Sequence, residues 1–413
     1  MMLTFPGDGS RILVWHENCG TWEPRFNGRN PRVRIAQVAP LYEAVPPKYY
    51  GGTERVVSYL TEELVRQGHE VTLFASGDSI TAAELVSVCP QALRLDPKCV
   101  DRLALHFVML EKVFQSADRF DVIHFHIDYL HYPLSRRAAI PQVTTLHGRL
   151  DQPELGCLYD EFADMPVVSI SAAQRRPLPQ ANWMATVHHG LPVQSLRYRE
   201  KPGDYLAFLG RISPEKRVDR AIEIARRSGR RLRIAAKVDD ADRDYFHSTI
   251  EPLLGDPLIE FVGEIGEKDK GEFLGNAQAV LFPIDWPEPF GLVMIEAMAC
   301  GTPVIAWPRG SVSEVIEDGV TGYIVETIDE AVRAVARSGD FDRRHCRRVF
   351  EERFTATRMA DDYLAVYRRL IRHPVRPRGS SAAKSAERRF VGAEAAVAVA
   401  NEPTRPRRPQ HAA

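Results

Sequence analysis

From Val33 onward, short β-branched runs alternate with amphipathic helical stretches, and the alternation is stated twice. The run VRIAQVA (33–39) has strand character, and TERVVSYLTEELVRQG after it puts Val56, Val57, Leu60 and Leu64 on one helical face. Thr53 is the expected N-cap of that helix and Gly68 its stop. EVTLFA (70–75), DVIHFH (121–126), QVTTLH (142–147) and PVVSIS (166–171) are apolar enough to be covered on both faces. A second series starts at YLAFLG (205–210) and continues through LRIAA, IEFVG (259–263), AVLFPI (279–284), TPVIAW and GYIV, with helical stretches between. Strands separated by helices must cross over right-handedly into parallel sheets, so two doubly wound α/β domains are expected, 32–193 and 205–354. The polar segment QSLRYREKPGD (194–204) reads as their linker.

A chain of 413 residues suits two such bodies better than one core. Lys plus Arg (54) nearly balance Asp plus Glu (55), so no global field favours nucleic acid. The six cysteines form no CxxC pair, which points to reduced thiols and a cytoplasmic setting. Residues 1–31 lack a signal-peptide pattern and read as a flexible leader; no run of 18 apolar residues offers a membrane span. From Pro374 onward eight Lys or Arg face three Glu, a net +5 on a Pro- and Ala-rich stretch with little to bury. Residues 373–413 are expected to be a disordered basic tail; weak peripheral attraction to acidic lipid, at the inner face of the plasma membrane, is the functional alternative.

In sheets of this kind ligands bind beyond the carboxyl ends of the strands. PLYEAVPPKYYGG (40–52) ends in Gly51 and Gly52 before a helix, either a tight turn or a backbone able to approach a phosphate. It is not GxGxxG, and no GxxxxGK[ST] occurs, so nicotinamide, flavin and P-loop nucleotide fingerprints are unmet. FLGRISPEKRVDRAI presents Arg211 and Lys216, either a solvated basic loop or two cations for a diphosphate. His147 ends a strand, as a structural hydrogen bonder or a cleft residue. His124 and His126 share a strand face near Asp128, where a metal is the less favoured reading. VDDADRD (238–244) reads mainly as helix capping.

WPEPFGLVMIEAMACGTPVIAW (286–307) places Glu296 in an otherwise apolar run, eight positions after Glu288. A helix starting near Phe290 or Gly291 leaves its first N–H groups free for an anion, with Glu288 just ahead of them. Glu296 then lies about 7.5 Å further along at about 1.5 Å per residue. A buried carboxylate needs a donor: two ribose hydroxyls fit, and a structural salt bridge is the alternative.

EPFGLVMIE is an E-x7-E motif. Together with GRISPEK, the Gly51–Gly52 loop, TLHG, MACGTPVIA, EVIEDGVTGYIV and HHGLP (188–192), it resembles the family 4 (group 1) retaining glycosyltransferases of the GT-B fold, over about residues 33–372. The resemblance implies two Rossmann-like domains facing across a cleft, an acceptor domain first and a nucleotide-sugar domain second, with a final helix at 355–372 crossing back to the first. It implies that Glu288 faces donor-sugar hydroxyls, Glu296 the ribose, Arg211 and Lys216 the diphosphate, and that His147 lies beside the reacting sugar. Gly51 and Gly52 would approach the diphosphate, with the N–H groups of Phe290, Gly291 and Leu292 completing the site. No metal or other cofactor is expected.

Two departures stand out. Arg217 replaces the Gly that often follows the motif lysine, and AAKVDD (235–240) replaces a Gly-x-Gly, so that Lys237 supplies a charge where a backbone contact is usual. The activity implied is retaining transfer of a hexosyl unit from a UDP- or GDP-linked sugar to a glycan, lipid-linked or small-molecule acceptor, in polysaccharide or envelope glycoconjugate synthesis. A sugar nucleotide epimerase or hydrolase, or a silent nucleotide-sugar binding protein, is the alternative.

Overall fold

Seven runs pair side by side in the first half: β1 (Arg34–Val38), β2 (Glu70–Phe74), β3 (Glu84–Val86), β4 (Val122–Phe125), β5 (Gln142–Thr145), β6 (Pro166–Ser169) and β7 (Asn182–Thr186). This computed structural model describes residues 31–49 and 51–373, and three strands before them. The first sheet is wholly parallel, in the order β7-β6-β5-β4-β1-β2-β3. The second, also parallel, contains β8 (Tyr205–Ile212), β9 (Arg231–Val238), β10 (Ile259–Gly263), β11 (Ala277–Phe282), β12 (Val304–Ala306) and β13 (Gly322–Ile324), in the order β10-β9-β8-β11-β12-β13. Both are the doubly wound sheets expected from the alternation. The outer strands β3 and β7 were not legible beforehand: one has three residues, and the other, NWMAT, is half-buried and lacks a β-branched apolar run.

Each sheet reverses its strand order once, between β1 and β4 in the first and between β8 and β11 in the second. Loops leaving the paired strands diverge there and open a crevice. The Gly51–Gly52 loop follows β1, Arg211 is the penultimate residue of β8, and the Glu288 loop leaves β11, so these candidate residues collect at the two switch points.

The helix Ala356–Arg372 crosses to the first sheet. Its buried face, Met359, Tyr363, Leu364 and Tyr367, packs with Ile35, Leu60, Val71 and Val122. Gly190 makes this passage possible, since a Cβ there would lie 2.1 Å from the Thr355 carbonyl oxygen.

Two local expectations need correction. Residues 1–31, read as a flexible leader, contain strands Met2–Thr4, Arg11–His16 and Thr21–Phe26 in an antiparallel sheet, with Trp15 opposite Trp22. Pro24 masked the pattern, and it is tolerated because its strand is at the edge. The first long helix begins at Gly52 with Gly51 as its cap, so Thr53 lies inside it; Gly68, at φ 89°, does follow its end. The tail from Pro374 lies outside the described residues. Among the described residues no helix is long and apolar enough to cross a membrane.

Candidate active site

Helix Leu292–Ala299 starts at Gly291, whose φ of 80° only glycine adopts freely. No side chain caps it, and none caps the helix Gly52–Arg66. By contrast, Asp101, Thr327, Asp342 and Thr355 cap their helices with side-chain oxygens. Five described helices of eight or more residues start without a side-chain cap, and of these the Gly52 and Leu292 helices come together: a Cβ built on Gly52 would lie 3.6 Å from Leu292 Cδ1. Both line one cavity of about 740 Å³ together with Arg211, Lys216, Lys237, His147, Glu288, Phe290 and Glu296. The structure therefore brings every residue expected at the donor site to a single cleft between the sheets, whereas His124 and the acidic run 238–244 do not line it.

Glu288 is 8% exposed and ion-paired with Lys216, and Trp286 Nε1 donates to the same carboxylate oxygen at 3.0 Å. The Lys216 ammonium also lies 5.0 Å from the Trp286 ring centroid, a cation–π contact that keeps it at the cleft wall. The chain before the helix is held from behind: Ser311 N–H donates to the Glu288 carbonyl at 3.0 Å and Ser311 Oγ to that of Phe290 at 2.7 Å. Gly310 permits this, because a Cβ there would lie 2.2 Å from the Glu288 carbonyl oxygen.

Arg211 sits within β8, in register with Lys237 of β9, so the two cations stand side by side. Glu215, Asp239 and Asp242 surround Arg211 at 3.5, 3.7 and 3.5 Å, and Asp239 also pairs with Lys237 at 2.6 Å. The acidic cluster does stand at helix starts, Asp239 and Asp242 each preceding a short helix without a side-chain capping bond, and it also balances the two basic residues. Its contacts to Arg211 are longer than a good hydrogen bond, leaving the guanidinium able to turn to a stronger anion.

Glu296 has a partner absent from the sequence reading. Lys270 donates to it at 2.7 Å and also lies 3.1 Å from Glu267, which in turn accepts from Tyr59 at 2.9 Å and pairs with Arg55 at 2.8 Å. Burial alone would pull the Lys270 ammonium down, but the carboxylates of Glu296 and Glu267 outweigh it and hold it above its ordinary value. An ion chain thereby joins a helix of the first domain to two of the second. Lys270 was missed because it lies 26 residues from Glu296 on another helix.

His147 lines the cleft and its Nε2 lies 2.9 Å from His126 Nδ1. His189, from HHGLP, stacks on it with ring centroids 5.4 Å apart. The metal reading of His124 and His126 is not supported: their ring nitrogens are engaged by Tyr367, Thr145, His147 and Gln37, and no group of three or more metal-binding side chains occurs among the described residues. Burial lowers His147 to about 3 and pushes His124, His126, His131 and His189 well below the usual imidazole value. Loss of solvent raises Glu54, in the first turn behind Gly51, to about 7, and Asp128 at the cleft to about 6.

These shifts set the acid stability. Below about pH 6.5 the unfolded chain takes up protons that the five buried imidazoles refuse, and each costs about 1.4 kcal/mol per pH unit until its folded value is reached. Glu54 and Asp128 act oppositely, since protonation favours their folded forms. His69 and His106 are lowered by burial as well and Glu43 is raised, so with seven imidazoles against three carboxyls the urea midpoint is expected to fall between pH 7 and pH 5. A midpoint that rises over that range would show that the carboxyls dominate.

Sequence and structure comparisons agree with this geometry. The family described as glycosyltransferase family 4 matches residues 50–234, and that described as glycosyl transferases group 1 matches residues 197–338. An uncharacterized glycosyltransferase of Methanocaldococcus jannaschii is 24% identical over 339 residues, covering 71% of this chain and 85% of that protein. The D-inositol 3-phosphate glycosyltransferase of Mycolicibacterium smegmatis is 27% identical over 339 residues, covering 68% and 76%. Among solved structures, AviGT4, a glycosyltransferase involved in avilamycin A biosynthesis, superposes with a TM-score of 0.65 at 25% identity, over 83% of this chain and 98% of that one. With two facing Rossmann-like sheets, a helix that crosses back and both family patterns in sequence order, the chain belongs to the family 4, group 1 glycosyltransferases of the GT-B fold.

Proposed function

We propose that the protein moves a hexosyl unit from a nucleotide diphosphate sugar, UDP- or GDP-linked, to a carbohydrate, lipid-linked or small-molecule acceptor with retention of anomeric configuration. The observation that carries this reading is the convergence of Arg211, Lys216 and the uncapped start at Gly291 on one cavity shared by both sheets. Two cations and free N–H groups suit a diphosphate leaving group, whose charge grows as the glycosidic bond breaks. A phosphate oxygen takes the acceptor proton on the face from which the nucleotide departs, so the new bond forms on that same face. The reading requires no metal, because Arg211 and Lys216 supply the countercharge.

Glu288 then positions the sugar and supports its cationic ring electrostatically, while holding Lys216 in place. Glu296 addresses the ribose and shares its carboxylate with Lys270. Phe290, Gly291 and Leu292 offer backbone to the diphosphate, and Gly51 and Gly52 meet it from the first domain. His147 lies beside the reacting sugar.

Lys237 extends the cationic edge by one strand. Lys237→Ala is expected to raise the donor KM about tenfold, the effect of losing one hydrogen bond to a charged group, with kcat little changed. Unaltered donor kinetics would remove Lys237 from the site.

Calorimetric titration with UDP, GDP and ADP, followed by the matching sugar nucleotides, tests the donor. NMR of the product reads the anomeric configuration, and an inverted product would overturn retention. The donor incubated without acceptor provides the contrast: an epimer or complete conversion to free sugar would favour the epimerase or hydrolase alternative. A role in polysaccharide or envelope glycoconjugate synthesis, in the cytoplasm or at the inner face of the plasma membrane, belongs to the same proposal.

A further inference from the structure

A hydrogen-bond chain runs behind the cleft wall from His147 to the crossing helix. His147 Nε2 lies 2.9 Å from His126 Nδ1, and His126 Nε2 lies 2.8 Å from Gln37 Oε1. The Gln37 amide nitrogen donates to the Tyr367 hydroxyl at 3.2 Å, and that hydroxyl lies 2.7 Å from His124 Nδ1. His124 Nε2 is 2.7 Å from Thr145 Oγ1, itself 2.9 Å from the Tyr363 hydroxyl. Gln37, His124, His126, Thr145, Tyr363 and Tyr367 are all buried.

The chain has a direction. A neutral imidazole carries one N–H and one bare nitrogen, and a side-chain carbonyl only accepts. Gln37 Oε1 therefore places the His126 proton on Nε2, leaving His126 Nδ1 to accept from His147 Nε2. The single proton of His147 is thereby committed. Its other nitrogen, Nδ1, is buried and has no partner within the protein. As burial keeps the ring neutral, Nδ1 is a lone pair on a side chain that lines the cleft.

We propose that Gln37, His126 and Tyr367 are positioning residues that lock His147 in its Nε2–H tautomer, so that its Nδ1 accepts a hydrogen bond from a ligand hydroxyl in the cleft. The glycosyltransfer reading enters only in identifying that hydroxyl as one of a sugar. The chain makes the site selective by chemistry: a hydroxyl satisfies Nδ1, whereas a deoxy or carbonyl group at the same place leaves a buried lone pair unmet. Tyr367 acts at one remove, by accepting the Gln37 amide hydrogen and so keeping its carbonyl turned to His126.

The test is ¹⁵N NMR of the full-length protein labelled at histidine, with His147→Asn identifying the resonance. The expected result is a protonated Nε2 and an unprotonated Nδ1 in the parent protein; a proton on Nδ1 overturns the proposal. Tyr367→Phe keeps the ring and deletes the hydroxyl. It is expected to give mixed tautomers at His147 and about a tenfold lower kcat, with UDP or GDP affinity unchanged. A folded variant with the parent tautomer and kcat also overturns it. Should Tyr367→Phe not fold, Gln37→Leu removes the same constraint and carries the same expected and contrary results. Failure of UDP and GDP to bind the parent protein would sink the donor reading while leaving the tautomer measurement intact.

Discussion

Arg211→Ala and Lys216→Ala should each lower kcat/KM by about 100- to 1000-fold, the scale of removing one preorganised donor from a developing oxyanion. Arg211 is poised for this because its carboxylate neighbours stand at 3.5 to 3.7 Å, close enough to orient the guanidinium without engaging it fully. Lys216 is fixed between Glu288 and the Trp286 ring, so little reorganisation remains when charge appears on the leaving phosphate. Steady-state kinetics with saturating acceptor, beside a thermal melt, separate this from unfolding. A loss below threefold in a folded variant would contradict the assignment.

Glu296→Ala is expected to have two separable effects. It leaves Lys270, 12% exposed at its side chain, with Glu267 as its remaining acidic partner, a loss of about 3 kcal/mol in unfolding free energy. It also removes the carboxylate proposed to face the ribose, so the donor KM should rise by about tenfold or more. Denaturant titration reads the first effect and donor kinetics the second. Lys270→Met in the same background is the informative control: removing both charges should restore stability without restoring donor affinity. Recovery of both would mean that Glu296 serves only the ion pair.

The helical and strand periodicities carried most of the two sheets, because buried parallel strands are apolar on both faces and their helices are amphipathic. Glu288 and Glu296 stood out for a related reason, as carboxylates beside or within an apolar helix. Their partners did not. Lys270 and Trp286 engage them through tertiary packing, which local spacing cannot express. Asp239 and Asp242 looked like helix caps because acidic residues suit a helix start; their pairing with Arg211 needs the β8–β9 register. His126 looked like half of a metal pair because spacing reports a shared face and says nothing of the residues opposite. The partners opposite are Gln37, on the neighbouring strand of the same sheet, and His147. The short strands before residue 31 were hidden by Pro24 within one of them.

The close approach of Gly52 and the Leu292 side chain sets two uncapped helix starts on one cavity. Each such end behaves as roughly half a positive charge, so the pair repels wherever nothing anionic lies nearby. A diphosphate seated there would act as mortar between two like-charged bricks. Donor binding would then add to the adhesion that the Arg55–Glu267–Lys270–Glu296 chain already gives the two domains, and a bare sugar lacking its nucleotide would leave that like-charge repulsion in place.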